Sequence, residues 1–303
     1  MLYNLAERCS MEELNDFRRR IEKHFPRLTK SEQKIGSFLL SSYDQAVFLS
    51  AADIARELDV SEATIVRFAR TIGYDSFPQL RRALQHIYRA RTTPATRLQH
   101  KLADLKTGEG HILAKVVDME LQYLAEVPHS VSPAEFDHAV KIILKGRRVF
   151  VFGIGPARIL AELVFLRLTR FGITTLRLNE SGRDLLDKLL LLKSDDALLA
   201  TGFHRVTGEL VAVLDRARKV GCKTVLLTDT LRAHFQDKVA VTLAARRGPV
   251  STFHSLIVPM AILNALILAV AMERPAESLG SLKRMEELRA EYGLDNLGKV
   301  NSA

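Results

Sequence analysis

Residues able to do chemistry in this chain gather in two places. The first is the run LSAADIARELDVSEATIVRFARTIGYDSF, positions 49 to 77. Here Ser61, Glu62, Thr64 and Arg67 fall on the early, outward side of a short helical pattern. A guanidinium such as Arg67 can pair with guanine O6 and N7, and Thr64 can meet a thymine methyl or another base edge. Arg70 and the more distant Lys30 suit phosphate oxygens, which supply affinity and little sequence information. The second place is a pair of turns after short apolar runs, Gly153-Ile154-Gly155 after RRVFVF and Thr228-Asp229 after KTVLL. Ligands of open α/β sheets bind at such strand ends. Free backbone N–H groups and a helix dipole favour an anion there. The G-x-G also fits a tight turn in any doubly wound fold. A dinucleotide fingerprint would need a third glycine where Arg158 stands.

Elements must hold these residues in place. Ala52, Ile54, Ala55 and Leu58 give one short helix an apolar face, and Ile65, Val66, Phe68 and Ala69 give the next helix another. Ala55 is small where two helices must approach closely, and Ser61 can cap the second helix. That is the pattern of a helix-turn-helix, whose second helix enters the major groove. A helical pair with a merely solvated basic face has the same spacing. Upstream, Phe17 to Phe25 reads as an amphipathic segment ending at Pro26. Thr29 and Glu32 have capping-box spacing, with Ile35, Phe38 and Leu39 facing a core. Gly73 ends the second motif helix, and a last helix runs from about Phe77 to Arg91.

Beyond it, residues 92 to 110 read as a polar, basic linker with Pro94, Gly108 and Gly110, then a bridging helix from about 111 to 127. Ser132-Pro133 is a helix start. The period then changes: VFVF, TTLRL near 174, ALLATG near 197, KTVLLTD near 223 and VAVTLA near 239 are strand candidates with helical patterns between several of them. This alternation predicts a parallel sheet covered on both faces. The fold class expected is an α/β C-terminal domain plus an all-α N-terminal domain. The boundaries read from the sequence are 14–90 for the helical head, 91–132 for linker and bridging helix, 133–275 for the α/β domain and 276–303 for a C-terminal tail.

Bulk properties narrow the function classes. The 303 residues carry a formal net charge of +9, and from Arg67 to Lys106 the acids are only Asp75 and Asp104. The positive excess thus flanks the helix-turn-helix, as a polyanion partner requires. Cys9 and Cys222 are the two cysteines; they make neither a disulfide framework nor a four-ligand zinc site. A reducing cytoplasm fits, and no metal or cofactor is expected. The N-terminus lacks the apolar stretch of a signal peptide. Leu256 to Met272 is mostly apolar but contains Pro259 and Asn264 and falls short of the roughly 20 residues of a membrane span, so a core helix is expected and no membrane partner.

The head, about residues 14 to 90, resembles the RpiR/MurR family of bacterial regulators. The matching residues are L-T-K-S-E-Q near 28 to 33, D-I-A-R-E-L-D-V-S-E-A-T-I-V-R-F-A-R from 53 to 70 and G-Y-D-S-F-P-Q-L-R-R-A-L from 73 to 84. The resemblance implies double-stranded DNA as partner, read by the helix that begins at Ser61. Residues from about 133 to 275 resemble the family's second half, a sugar isomerase (SIS) fold, through A-R-K-V-G-C-K-T-V-L-L-T-D at 217–229 and F-H-S-L-I-V-P-M at 253–260. Such domains hold a phosphosugar, commonly in a turn S-x-S-G-x-T. The equivalent stretch here is Gly202-Phe203-His204-Arg205-Val206-Thr207, where only Thr207 keeps a hydroxyl, and Ala157 replaces the usual serine of the first turn.

Arg205, with His204 beside it, therefore stands where a hydroxyl cradle has been lost, and a planar guanidinium fork suits carboxylate or phosphate. The expected effector set is Gly153, Gly155, His204, Arg205, Thr207, Thr228 and Asp229. The effector is a small anionic metabolite, either a phosphosugar or another carbohydrate derivative. A structural ion pair at Arg205, or a vestigial pocket, are the plainer readings. SIS folds also carry isomerases, and Glu180, His204 and His254 are candidate bases; they form no recognisable catalytic set, so no catalytic residue is assigned. A non-specific nucleic-acid packaging protein is the third class. One short helix reads few base pairs, so a homodimer or homotetramer is expected.

Overall fold

The computed structural model describes residues 15–41, 46–47, 49–91, 94–106, 110–248 and 253–294. The chain divides into two compact units. One runs up to Lys115 and includes Gly248–His254; the other comprises Val116–Arg247 and Ser255 onward.

The first unit is helical. Helix α1, over 15–24, is followed by α2 (Lys30–Ser41), α3 (Ala51–Leu58), α4 (Glu62–Thr71) and α5 (Phe77–Arg91). Periodic apolar residues explain the packing: Phe17, Ile21, Ile35, Leu39, Ile54, Ile65, Phe68, Ile72 and Leu80 are fully buried in one core. Gly36 lets α2 sit close, since a Cβ there would meet Ile21 Cγ2 at 3.3 Å. The Thr29–Glu32 capping pair is formed, with the Thr29 N–H donating to Glu32 Oε2 at 3.0 Å. Ser50 and Asp53 make a second such box at the start of α3. Between α3 and α4, Asp59 takes the left-handed conformation at φ 51°, which Asp tolerates better than bulkier residues. The stretch read as a polar linker carries a further helix, α6 (Pro94–Lys106). Pro94 begins it, where a missing N–H costs nothing, and Leu98, Leu102 and Leu105 recur at helical spacing.

The second unit begins within α7 (Ile112–Ala125) and continues through α8 (Val127–Ser130) and α9 (Pro133–Lys145) into alternating strands and helices. These are β1 (Val149–Phe152), α10 (Arg158–Arg170), β2 (Thr175–Leu178), α11 (Gly182–Leu189), β3 (Ala197–Thr201), α12 (Gly208–Val220), β4 (Lys223–Thr228), α13 (Arg232–Phe235) and β5 (Val241–Ala244). All strand pairs are parallel, in the order β2-β1-β3-β4-β5. Side chains alternate between the faces, and both faces are buried. Val149, Val151, Leu199, Val225, Leu227 and Leu243 join one core; Phe150, Phe152, Leu198, Ala200 and Leu226 join the other. Doubly covered strands read as continuous apolar runs for this reason.

The first core is closed by α14 (Ile257–Glu273), which buries Val258, Ile262, Leu263, Leu266, Ile267 and Val270. Among the described residues no single helix is long and apolar enough to cross a membrane. The stretch assigned to a C-terminal tail carries α15 (Pro275–Glu291), which packs against α10 and α14. In a 2-1-3-4-5 sheet the order reverses between β1 and β3, and in open α/β sheets generally it is at the carboxyl ends beside such a reversal that ligands bind.

Candidate functional site

In the helical unit, α4 is fixed by burial of Ile65, Phe68 and Ala69. That orientation turns Ser61, Glu62, Arg67 and Arg70 outward, all exposed, with Thr64 half-buried. Ser61 is the cap: its hydroxyl accepts the Thr64 N–H at 3.2 Å and lies 2.7 Å from Thr64 Oγ1. Arg67 donates to Thr64 Oγ1 at 3.4 Å, so the early polar residues of the helix form one connected edge. Arg70 donates through Nε to the carbonyl of Asp75 at 3.4 Å. Lys30 is exposed at the start of α2. The residues read as base-facing therefore lie on the outward side of α4.

In the α/β unit the predicted effector residues do lie at carboxyl ends of strands. Gly153 and Gly155 follow β1, and His204, Arg205 and Thr207 follow β3, on either side of the switch point. Gly153 is required by space, since a Cβ would stand 2.5 Å from Ala157 O and 2.8 Å from Thr201 Oγ1. Gly202 is tight likewise, with Leu210 Cδ2 at 2.6 Å. Gly155 is in the left-handed region, at φ 56°.

The hydroxyls of this set are engaged within the protein. Thr207 caps α12 by accepting the Leu210 N–H at 3.2 Å. Thr228 is fully buried, and its hydroxyl accepts the Leu231 N–H at 3.3 Å. Both hydroxyls thus help to shape turns, and each keeps its own O–H to donate. Arg205 is exposed.

Asp229 has a partner that sequence reasoning missed. Arg247, just past β5, donates Nη2 to Asp229 Oδ2 at 2.6 Å, and both side chains are buried. Asp229 Oδ1 accepts the backbone N–H groups of His204 and Thr230, each at 2.7 Å. Burial opposes the charge on Asp229, but the Arg247 guanidinium and these donors outweigh it and hold its carboxyl below the usual aspartate range. The same bond anchors His204, whose φ of 38° is unusual for a residue with a side chain. The Arg247 guanidinium lies over the Phe203 ring, 3.9 Å from its centroid. One network thus ties the turns after β3, β4 and β5. The signal that could have found Arg247 was its place two residues after VAVTLAA, by the same strand-end rule that singled out Asp229.

Of the candidate bases, Glu180 is ion-paired to Lys188, and its carboxyl is held below the usual range: the hydrogen bond and charge of Lys188 outweigh the cost of burial. Cys222 is buried, which with the nearby Asp196 and Asp195 pushes its thiol up to about 12; it is no nucleophile. Cys9 lies outside the described residues. Among the described residues no group of three or more His, Cys, Asp or Glu side chains is placed to hold a metal ion.

The helix-turn-helix domain profile of the rpiR family matches residues 16–90, and the SIS domain profile matches residues 142–269. An uncharacterized HTH-type transcriptional regulator of Haemophilus influenzae is 29% identical over 220 residues, which are 68% of this chain and 71% of that one. The bifunctional protein glk of Burkholderia pseudomallei is 26% identical over 85% of this chain; the match spans only 40% of that protein. Among solved structures, the Vibrio vulnificus NanR protein complexed with ManNAc-6P superposes with a TM-score of 0.59 at 19% identity, covering 90% of this chain and 97% of that one. With an rpiR-type head followed by a SIS domain built on a parallel five-stranded sheet, the chain belongs to the RpiR family of helix-turn-helix transcriptional regulators.

Proposed function

We propose that this regulator reads a specific operator through α4 and adjusts its grip when the α/β unit binds a small anionic carbohydrate derivative. The observation that carries the reading is the connected outward edge Ser61-Thr64-Arg67 on a helix whose other side is locked into the head core. Arg67, Thr64, Ser61 and Glu62 meet base edges, while Arg70 and Lys30 meet phosphates. Domain limits of 14–90 for the head and 133–275 for the sensor fit this division, with 91–132 joining them and 276–303 as an appendage of the sensor.

The effector lies at the switch point, bordered by Gly153, Gly155, His204 and Arg205, with Thr207, Thr228 and Asp229 holding the turns in shape. The likeness to NanR, a protein solved with ManNAc-6P, supports a phosphosugar-like class. The chain acts in the cytoplasm as a homodimer or homotetramer, so that two heads share a two-fold axis with the operator, and it has no catalytic role. Genome-wide mapping of DNA bound by the tagged chain tests this directly. A small set of sites sharing one inverted-repeat sequence supports the reading, and uniform coverage would refute it. Linkage adds a second check: the effector must change operator affinity by the factor by which operator changes effector affinity.

A further inference from the structure

The Arg247 side chain is 94% buried (6% exposed). Its Nη2 is satisfied by Asp229, but its Nε, also buried, has no hydrogen-bond partner among the described residues. A buried donor left without an acceptor is destabilising, and more so on a charged group. Buried polar atoms in folded proteins are almost always paired, so this orphan, among the turns at the carboxyl end of the sheet, calls for an acceptor. The surroundings define that acceptor. The guanidinium is stacked on Phe203 and held by Asp229, so it is rigid and oriented. Arg246 and Arg205, both exposed, flank Arg247 and Phe203 in sequence, and Asp229 is the acid that the network itself contains. A fixed guanidinium N–H of this kind is best met by a charged oxygen acceptor.

We propose that Arg247, and not Arg205, is the principal anchor of the effector. Its free Nε–H takes an oxyanion oxygen, from a carboxylate or a phosphate, while Asp229 holds the other side of the guanidinium and competes with the ligand for it. This rests on the reading that the effector binds at this end of the sheet. It assigns Asp229 the role of resident competitor and makes Phe203, at a variable position of the phosphosugar turn, the platform that positions the arginine.

The test is isothermal titration of the full chain with inorganic phosphate, glucose 6-phosphate and gluconate, with glucose as the neutral control. At least one oxyanion should bind where glucose does not, and comparing the phosphates with gluconate identifies the favoured oxyanion. Arg247→Lys keeps a cation opposite Asp229 but removes the Nε–H; it should weaken binding by about tenfold or more, a larger loss than for Arg205→Ala. Asp229→Asn removes the competitor and should tighten binding, with a larger oxyanion-induced rise in Tm than wild type shows, a response that a purely structural role would not produce. Should Arg247→Lys fail to fold by circular dichroism, Asp229→Asn alone decides. Unchanged or weaker binding by Asp229→Asn, a smaller loss for Arg247→Lys than for Arg205→Ala, or no oxyanion binding by wild type overturns the assignment. Operator binding by the ligand-free chain, followed by fluorescence anisotropy, reports on the regulator reading separately, because it does not require Arg247.

Discussion

The helical head and the α/β unit present their candidate functional residues in different ways. In the head, the residues assigned to DNA are what remains when the core-facing side of α4 is subtracted: Ile65, Phe68 and Ala69 go in, and Ser61, Glu62 and Arg67 stay out. One period defines both sets, and they lie within ten positions of each other. In the sensor the key network joins Phe203, His204, Asp229 and Arg247, which sit on three separate turns. No local pattern connects them; the sheet order does. Function on an amphipathic helix is therefore written locally, whereas function at the ends of a parallel sheet is written in topology.

The largest effect should come from breaking the sensor network. Arg247→Ala strands the buried Asp229 carboxylate, and loss of one member of a buried pair costs about 3–5 kcal/mol. Urea titration of this variant should show that loss. Arg177→Ala, which removes the partly exposed pair with Glu162, should cost under about 1 kcal/mol. Equal losses would mean that the Arg247 network is no more than a surface contact.

Next in size is Arg67→Ala in the head, which should cost about 1–3 kcal/mol on operator DNA and little on random duplex. A matching loss on both would make Arg67 a phosphate contact. Ser61→Ala removes the cap of α4 and should lower stability by about 0.5–2 kcal/mol. Thermal melts of the two variants would separate the roles, since Arg67→Ala should leave Tm unchanged.

A pH series sharpens the comparison further. The folded Asp229 carboxyl is held below its ordinary value, so its contribution to stability is complete above the unfolded aspartate pKa of about 3.9 and disappears as the pH falls through the folded value. Asp229→Asn should therefore flatten the acid limb of the stability curve and leave its neutral limb parallel to wild type. An unchanged acid limb would show that the pair does not form. The smallest effect expected is for Lys30→Ala, which should reduce the slope of log affinity against log salt by about 0.9 and weaken all duplexes alike.

Much of the architecture was legible. Doubly buried strands show as apolar runs such as VFVF and KTVLLT, and the Thr29–Glu32 capping pair and Ser132-Pro133 mark helix starts. The helix Pro94–Lys106 was hidden by a basic, polar composition that resembles a linker, although its leucines keep helical spacing. At the sensor site, Thr207 and Thr228 were chosen for their hydroxyls, yet both hydroxyls serve backbone N–H groups three residues on. Arg205 drew attention by its place in a motif, while Arg247 lies in no motif, and only the fold shows it buried against Asp229.

The most direct test of the account is a competition assay at physiological salt between a duplex recovered by genome-wide mapping and a scrambled duplex of equal length, for wild type and Arg67→Ala. The account predicts that wild type prefers the recovered site by about 10³-fold or more, and that Arg67→Ala loses much of that preference while holding the scrambled duplex as before. Equal affinity of wild type for both duplexes would contradict it.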